Sequence, residues 1–327
     1  MKLTKIKLVL LLAVFLSTAL ACSKKANTDE SVKTNPEPPA KPNPEDPSTG
    51  KKNIKLFLIG NSFSQNATTF LPALAAENRH SLTIGRAELS SFSLQLHWEA
   101  VVKNLADAND VNGKPYKGKS LKELLATNSW DIISIQQVSG MSGKEGTYQP
   151  YLGNLIEFIK RHQPNAEIVL HQTWAYRSDA TVFTQIYGGN ARTEQEMWEK
   201  SRAAYHLYAE QFGLRIIPTG DAFWLVSSNS RWKYNKDLEF NYSQPVYPQL
   251  PDQSNSLHIG YYWNAGTFGF DSHHANTAGC FLGSLTFYNF LFKESPSTPG
   301  YTPAGIDSEF ASFLKYVAQT AVDALNN

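Results

Sequence analysis

The segment IKLFLIGNSFSQNATTFLP (residues 54–72) decides the fold, because an apolar run stops abruptly at a glycine and a helical pattern follows it. A short apolar run of this kind is typical of a buried strand in an α/β sheet. Ser62 therefore falls between a first strand and a first helix, at the sheet edge where open α/β folds bind ligands. The free N–H groups of a helix N-terminus also favour a developing anion there. Taken alone, Gly60-Asn61-Ser62 is more typical of a capped turn, so the rest of the chain must identify a nucleophile.

Four further apolar segments alternate with helical patterns along the chain. They predict strands over Ser81–Leu89, Trp130–Ile135, Ala166–Leu170 and Leu214–Ile217. The main helical patterns cover Ser120–Ala126, Tyr151–His162, Glu194–Phe212, Ala275–Phe292 and a C-terminal helix at Asp307–Leu325. Strands separated by helices need crossover connections, which predicts an α/β fold with a parallel sheet. Residues 227–269 show no clear periodicity, so we interpret them as an irregular insertion that covers one end of the sheet.

A second informative segment is FDSHHAN (residues 270–276), which lies at the start of the last core helix. Asp271 and His274 are three residues apart and can share one loop, in which the carboxylate accepts a hydrogen bond from one imidazole nitrogen. The other nitrogen can then face a serine, and this is how an acid orients the base in a Ser-His-Asp system. The structural alternatives are a helix cap for Asp271 and a capping or core position for His274.

The two segments together resemble the SGNH (GDSL-like) hydrolase superfamily from about Ile54 to Phe292. The chain is most similar to an exported bacterial lipoprotein branch, whose blocks read G-N-S-F-S and D-x-x-H with Gln-Gln at the end of a middle strand. The resemblance implies a three-layer α/β/α sandwich with a short parallel sheet, as in flavodoxin-like folds. It also implies Ser62 as the nucleophile, His274 as general base and then acid, and Asp271 as the partner that orients His274.

Two blocks depart from the superfamily pattern, and both contribute to the oxyanion hole. The second block normally supplies a glycine N–H, and the segment SSFS (residues 90–93) stands in its place, so the expected donor is the N–H near Ser91. The third block normally carries an asparagine, whereas this chain has Gln136 and Gln137, and either amide can donate. Together with the N–H of Ser62, these groups are the predicted oxyanion donors.

Four residues near strand ends are candidate substrate-binding residues. We expect Asn61 to orient the strand–helix turn rather than to react, and His273 to lie on the substrate side or to be structural. Trp174 and Tyr176 follow a predicted strand, and aromatic rings in such loops can pack in the core or stack on sugar rings. These aromatic residues favour a carbohydrate substrate.

The remaining histidines near element ends do not indicate a metal centre. His97 and His171, taken singly, are more typical of satisfied polar residues than of ligands. A metal site could be assembled from His171, His273 and Asp271, but these residues lack a recognisable ligand spacing. We therefore predict no metal and no cofactor.

The N-terminus carries an export signal. Three lysines precede an apolar run (Leu8–Leu16) that is too short to span a bilayer as a permanent helix. The sequence ALAC (residues 19–22) resembles a bacterial lipoprotein processing site, at which Cys22 becomes the lipidated N-terminus; an ordinary cleaved secretory signal is the alternative. We predict a signal peptide over residues 1–22, a disordered Pro-rich tether over 23–52 and a hydrolase-like domain over 53–327.

The charge balance and the number of cysteines exclude some classes of protein. Lys and Arg number 30 and Asp and Glu 29, and this balance argues against a nucleic acid partner. Cys280 is the one cysteine besides Cys22, which excludes a disulfide framework, and its apolar helical surroundings predict a buried position.

We expect an exported esterase, held in the bacterial cell envelope by lipid on Cys22, that removes small acyl groups such as acetyl from a glycan. The alternative is a non-catalytic surface lipoprotein that binds glycan or peptide on a degenerate hydrolase scaffold.

Overall fold

The sheet and the helices of the domain are described by a computed structural model that covers residues 50–181, 183, 191–295 and 300–325. The predicted signal peptide, Cys22 and the tether up to residue 49 lie outside the described residues. The expectations for export and lipidation therefore stay predictions.

Five parallel strands form the central sheet, in the order β2-β1-β3-β4-β5. They are β1 (Asn53–Gly60), β2 (Ser81–Glu88), β3 (Ile132–Ile135), β4 (Glu167–His171) and β5 (Arg215–Ile217). Each strand lies in a segment for which the apolar runs predict one. Along the chain, β2 is added on one side of β1 and β3 on the other, so the switch point of the sheet lies between β1 and β3. In such sheets, ligands bind at the switch point, outside the carboxyl ends of the strands.

Helices cover both faces of the sheet. They are α1 (Ser62–Ala67), α2 (Leu71–Glu77), α3 (Leu94–Ala106), α4 (Leu121–Leu125), α5 (Tyr151–His162), α6 (Glu194–Phe212), α7 (Thr219–Ser227), α8 (Thr277–Phe292) and α9 (Ser308–Asp323). Successive residues of β1 point to opposite faces. Leu56 and Leu58 pack in the cluster that holds α1, α2, α7, α8 and α9, while Phe57 and Ile59 pack with α3 to α6. The α/β fold with a short parallel sheet between two helix layers is confirmed.

The last core helix, α8, fixes where the helix after β1 lies. Every residue of α8 from Ala278 to Phe292 is buried, as expected for a helix that is apolar all round. A side chain at Gly283 would come within 2.7 Å of the Ala67 Cα atom, so this glycine lets α1 pack directly against α8. None of the helices within the described residues is long and apolar enough to cross a membrane.

The interpretation of residues 227–269 as irregular is wrong at its C-terminal end. Strands β6 (His258–Asn264) and β7 (Thr267–Ala275) form a separate antiparallel hairpin, and β7 continues through Asp271 to the residue after His274. The turn uses positive φ angles at Ala265 (48°) and Gly266 (80°). Asn-Gly or Asp-Gly is the usual hairpin signal, and aromatic residues on both faces of the strands hide the alternation, so the sequence pattern missed this hairpin.

Candidate active site

The segment from Gly60 to Ala67 lies at the carboxyl end of β1, beside the switch point of the sheet. Asn61 caps α1, because its side-chain oxygen accepts the N–H of Phe63 at 3.0 Å. Ser62 is consequently the first residue of the helix, where backbone N–H groups have no partner within the helix. A Cβ at Gly60 would lie 2.7 Å from Ser64 Oγ, so only glycine allows this close turn.

Three side chains form a continuous hydrogen-bonded chain at this edge. Ser62 Oγ lies 2.9 Å from Nε2 of His274, although the two residues are 212 positions apart. Nδ1 of His274 lies 2.7 Å from Oδ2 of Asp271. The predicted order of contacts, serine to histidine to aspartate, is therefore the order that the structure contains. In this arrangement the Nδ1–H of His274 donates to the carboxylate, and Nε2 is left to accept a proton from the serine.

The Asp271 carboxylate is held as an anion by groups on its own strand. Its Oδ1 atom accepts the backbone N–H groups of His273 at 3.1 Å and His274 at 2.9 Å. Burial alone would raise the pKa of this carboxyl, but the bonds from the His274 side chain and the two N–H groups together bring it well below its usual range. Asp271 is not the cap of α8, because Asn276 has that role and accepts the N–H of Gly279 at 3.0 Å.

Three contacts from other elements fix the backbone of β7 around the histidine. The N–H of Arg177 donates to the carbonyl of Ser272 at 2.8 Å, and Trp174 Nε1 donates to the carbonyl of His273 at 2.9 Å. On the other side, the Asn66 side chain of α1 accepts the N–H of Ala275 at 3.2 Å. The last contact joins the helix that carries Ser62 directly to the strand that carries His274.

The predicted oxyanion donors differ in how the structure uses them. Ser91 is exposed and has a φ of 58°, in the left-handed region that favours glycine. Gln136 donates from its amide nitrogen to the side-chain oxygen of Asn61 at 2.8 Å, which uses one of its two amide hydrogens. Gln137 does not supply a free amide, because its nitrogen lies 3.1 Å from both the carbonyl and the hydroxyl oxygen of Thr147. The expectation for Gln137 is therefore wrong, and its side chain anchors a loop instead.

The candidate substrate-binding residues are mostly buried. Trp174 is 1% exposed and stacks on Phe63 and Phe223, at centroid distances of 4.3 and 4.5 Å. Tyr176 is 3% exposed, and its hydroxyl lies 3.1 Å from the hydroxyl of Ser139. Both aromatic residues belong to the core, so the prediction that they contact substrate is wrong.

The other two candidate substrate-binding residues, Asn61 and His273, differ in exposure. Asn61 is 1% exposed and orients the turn, as expected, but has no surface to offer a substrate. The His273 side chain is 35% exposed, and its Nδ1 atom lies 3.1 Å from Oδ1 of Asp271. Of the four residues, His273 alone presents a substantial part of its side chain to solvent.

The two other histidines singled out by the sequence are buried and bonded. His97 lies between the hydroxyl of Tyr116 (2.7 Å) and the carbonyl of Gly60 (3.2 Å), and burial lowers its pKa to about 4. His171 contacts the side-chain oxygen of Gln136 at 3.0 Å, and burial lowers its pKa to about 3. His171 is buried and does not join His273 and Asp271 in a metal-ligating group. The group that the described residues offer is Asp271, His273 and His274.

Several residues that support the site belong to no recognisable sequence motif. Arg177 is 1% exposed and forms a two-bond ion pair with Asp179, with distances of 2.7 and 3.0 Å. Ser64 Oγ donates to Glu88 at 2.6 Å, and Arg86 binds both oxygens of Glu88. An arginine followed two residues later by an acid is the only sequence signal for the first pair, and such spacing is common on protein surfaces.

Comparisons with known proteins agree with this fold. A family model described as "Domain of unknown function (DUF4886)" matches residues 55–241. The chain is similar to the crystal structure of a DUF4886 family protein from Bacteroides uniformis, with 23% identity and a TM-score of 0.63 over 84% of this chain and 96% of that one. That likeness shows the fold. No match was found among curated proteins.

More distant structures include proteins described as hydrolases. A protein from Slackia heliotrinireducens, provisionally assigned as an SGNH hydrolase, shares 16% identity, with a TM-score of 0.45 over 72% of this chain and 98% of that one. The psychrotrophic esterase EstA from Pseudoalteromonas shares 10% identity, with a TM-score of 0.35 over 56% of this chain and 85% of that one.

Proposed function

The chain belongs to the DUF4886 family, whose description assigns no activity, and from its site we propose that it is an exported serine esterase that removes small acyl groups from carbohydrate. The observation that carries the proposal is the chain of short contacts from Ser62 through His274 to Asp271. A serine becomes a useful nucleophile when a base accepts its proton, and a carboxylate holds that base in the required tautomer.

The proposed reaction proceeds through an acyl-enzyme. Ser62 Oγ attacks the ester carbonyl while Nε2 of His274 takes its proton, and Asp271 stabilises the resulting imidazolium. His274 then gives that proton to the departing alcohol, and the acyl group stays on Ser62. A water molecule, deprotonated by the same nitrogen, attacks the acyl carbon and releases the acid with Ser62 restored.

The oxyanion that forms twice in this reaction needs donors at the N-terminus of α1. The N–H of Ser62 and the N–H near Ser91 are the proposed backbone donors. Gln136 is the proposed side-chain donor although it is 1% exposed, because the bond to Asn61 uses only one of its two amide hydrogens. Removing one donor from such a site costs about 2.7–4 kcal/mol of transition-state stabilisation.

The substrate class rests on the resemblance to SGNH hydrolases and on the export signal. Two further aromatic rings lie on the surface of the domain, Tyr247 (65% exposed) on the insertion and Tyr262 (39% exposed) on β6. Such rings can stack on the apolar faces of sugars.

The proposed location is the bacterial cell envelope, with lipid on Cys22 as the anchor. Growth with labelled fatty acid, with and without globomycin, tests the anchor, and an unlabelled Cys22 would refute it.

Hydrolysis of p-nitrophenyl acetate and of acetylated glycans by the purified mature protein tests the activity. We expect Ser62→Ala to abolish turnover, with a loss of at least about 10³-fold, because no other group replaces the nucleophile. Ser312→Ala, at an exposed serine of α9, is the matched control and should keep the wild-type rate. Equal rates for wild type and Ser62→Ala across the ester panel would refute catalysis by this serine.

A second candidate function is binding without catalysis on the same scaffold. The observation that favours it is the use of Asn61 and Gln137 in internal hydrogen bonds, which reduces the number of side chains available to an oxyanion. A fluorophosphonate probe separates the two functions, because it labels only an activated serine. Glycan binding by a protein that resists labelling would support this second candidate.

A further inference from the structure

His273 has no part in the proposed reaction, yet it lies against the acid of the triad. Its Nδ1 atom is 3.1 Å from Oδ1 of Asp271, and its ring centroid is 4.2 Å from that of His274. Within the described part of the chain, Asp271, His273 and His274 are the one group of three residues whose potential ligand atoms all lie within 4.8 Å of one another.

The donor set of this group suits zinc. Two imidazole nitrogens and one carboxylate are common protein ligands of Zn²⁺, and three of them leave a position open for water. The three side chains are partly accessible, with exposed fractions of 18% for Asp271, 35% for His273 and 29% for His274. An ion from solution can therefore reach them without unfolding of the hairpin.

We propose that Asp271, His273 and His274 form an inhibitory zinc site, in which the metal captures the acid and the base of the triad. The inhibition rests on the proposed function, whereas the binding of zinc does not. Zinc would take Nδ1 of His274, the atom that now donates to Asp271 at 2.7 Å. Oδ2 of Asp271, released from that hydrogen bond, would become the carboxylate ligand.

The proton balance explains why the bound metal stops catalysis. A neutral imidazole that ligates through Nδ1 carries its proton on Nε2, so His274 changes tautomer without gaining or losing a proton. Its Nε2–H then donates to Ser62 Oγ across the present 2.9 Å contact instead of accepting from it. The serine loses its base, while the second nitrogen of the ligand keeps the hydrogen bond that metal-bound histidines usually make.

The turn itself can survive this exchange. Oδ1 of Asp271 accepts the backbone N–H groups of His273 and His274, and neither bond involves the atom that the metal needs. His273 would swing its Nδ1 from Oδ1 to the metal. If His273 serves only to hold Asp271 through a hydrogen bond, the site should show no response to zinc. The two roles can therefore be separated by experiment.

Binding is measured by titrating ZnCl2 into the purified Ser62→Ala protein in a calorimeter, and by the visible absorption of bound Co²⁺. We expect one zinc per chain, and a loss of affinity of at least about tenfold in Ser62→Ala/His273→Gln, which lacks one ligand. The matched control is His162→Gln in the same background, because His162 is partly exposed and lies at the end of α5. Equal affinity in all three proteins, or no binding at millimolar zinc, would overturn the site.

Inhibition is measured as the zinc concentration that halves each protein's own esterase rate and its own rate of fluorophosphonate labelling. Wild type and His162→Gln should respond alike, and His273→Gln should need at least about tenfold more zinc. Stoichiometric binding without a slower reaction would refute inhibition. If no ester is hydrolysed by any protein, the proposed function fails, and the calorimetric result still decides whether the zinc site exists.

Discussion

The two halves of the candidate site belong to parts of the molecule that are built differently. Ser62 lies in the nucleophile segment (residues 60–67), which continues directly from the central strand β1. Asp271 and His274 lie in the acid–base hairpin (β6–β7, residues 258–275), which is a two-stranded sheet of its own. Isolated two-stranded hairpins are marginal in water, so the second half needs support that the first half has from the main sheet.

The support of the nucleophile segment is mostly local. The carbonyl of Gly60 accepts the N–H of Leu89 at the end of the neighbouring strand. Glu88 on that strand accepts the hydroxyl proton of Ser64, and Arg86 Nη2 donates to Thr68 at the other end of α1. These partners lie within one strand–helix–strand unit, which is a short stretch of chain to order, whereas the contacts of Asn61 with Gln136 and of Asn66 with Ala275 are distant in sequence.

The support of the acid–base hairpin is buried, charged and distant in sequence. The guanidinium of Arg177 pairs with Asp179, donates to Gln253 at 2.8 Å and lies 4.1 Å from the ring of Tyr234. Gly260, opposite Asp271 in the hairpin, has a φ of 71°, and a Cβ there would come within 2.1 Å of Arg177 Nη1. One buried ion pair thus joins the loop after β4, the insertion and the hairpin.

The largest expected effect is a loss of unfolding free energy when the ion pair between Arg177 and Asp179 is broken. Arg177→Met leaves the Asp179 carboxylate buried without its partner, which costs about 3–5 kcal/mol of unfolding free energy. Arg161→Met removes an arginine that is 71% exposed and pairs with Glu157, and should cost under about 1 kcal/mol. Urea unfolding of both variants checks this difference. Equal costs would mean that the hairpin does not depend on the buried pair.

A smaller effect is expected from crowding the nucleophile segment. Gly60→Ala places a methyl group 2.7 Å from Ser64 Oγ and 2.9 Å from the Gln136 side chain, and such overpacking costs about 1–3 kcal/mol. Gly146→Ala, where nothing lies within 4 Å of the added Cβ, is the control and should be neutral or slightly stabilising. Unfolding free energies and the fluorophosphonate labelling rate are the measurements. Normal labelling in Gly60→Ala would contradict the close turn at Ser62.

The contact between the two halves can be weakened by one substitution. Asn66→Ala removes the acceptor for the N–H of Ala275, and we expect kcat to fall about tenfold with little change in KM. Asn66→Asp keeps an oxygen at that position and should recover most of the rate. Steady-state kinetics on a soluble ester measure both. A loss that is equal in the two variants, or that appears only in KM, would show that Asn66 does not align Ser62 with His274.

The smallest effect concerns the backbone at the expected oxyanion donor. Ser91→Gly relieves a left-handed conformation that costs an L-residue about 1–2 kcal/mol, partly offset by the entropy of glycine, so we expect a gain of about 0.5 kcal/mol. Lys117→Gly, at an exposed residue with a φ of 53°, should gain a similar amount. Thermal unfolding compares the two. Both variants keep their backbone N–H groups, so the esterase rate of each should stay near that of wild type, and a large loss in Ser91→Gly alone would show that the Ser91 side chain itself contributes to catalysis.

The nucleophile segment was more predictable from the sequence than the acid–base hairpin. Ser62 follows an apolar run that ends in glycine, and the short range of that pattern made the strand–turn–helix accessible from residues 54–72 alone. Asp271 and His274 were recognised as a spaced pair, but their placement on a strand was not, since hairpin register depends on the turn and on Arg177. The two glutamines could not be told apart, because Asn61 and Thr147 decide which amide is occupied.

By itself, the sequence determined the order of the strands along the chain, the burial of β1 and the residue types that meet at the carboxyl edge of the sheet. These follow from periodicity and turn chemistry, which act over a few residues. Tertiary structure alone decided that Trp174 and Tyr176 are core residues, that Gln137 anchors a loop and that His273 lies against Asp271. The physical reason is that burial and hydrogen-bond partners depend on groups many residues away, and no local pattern records them.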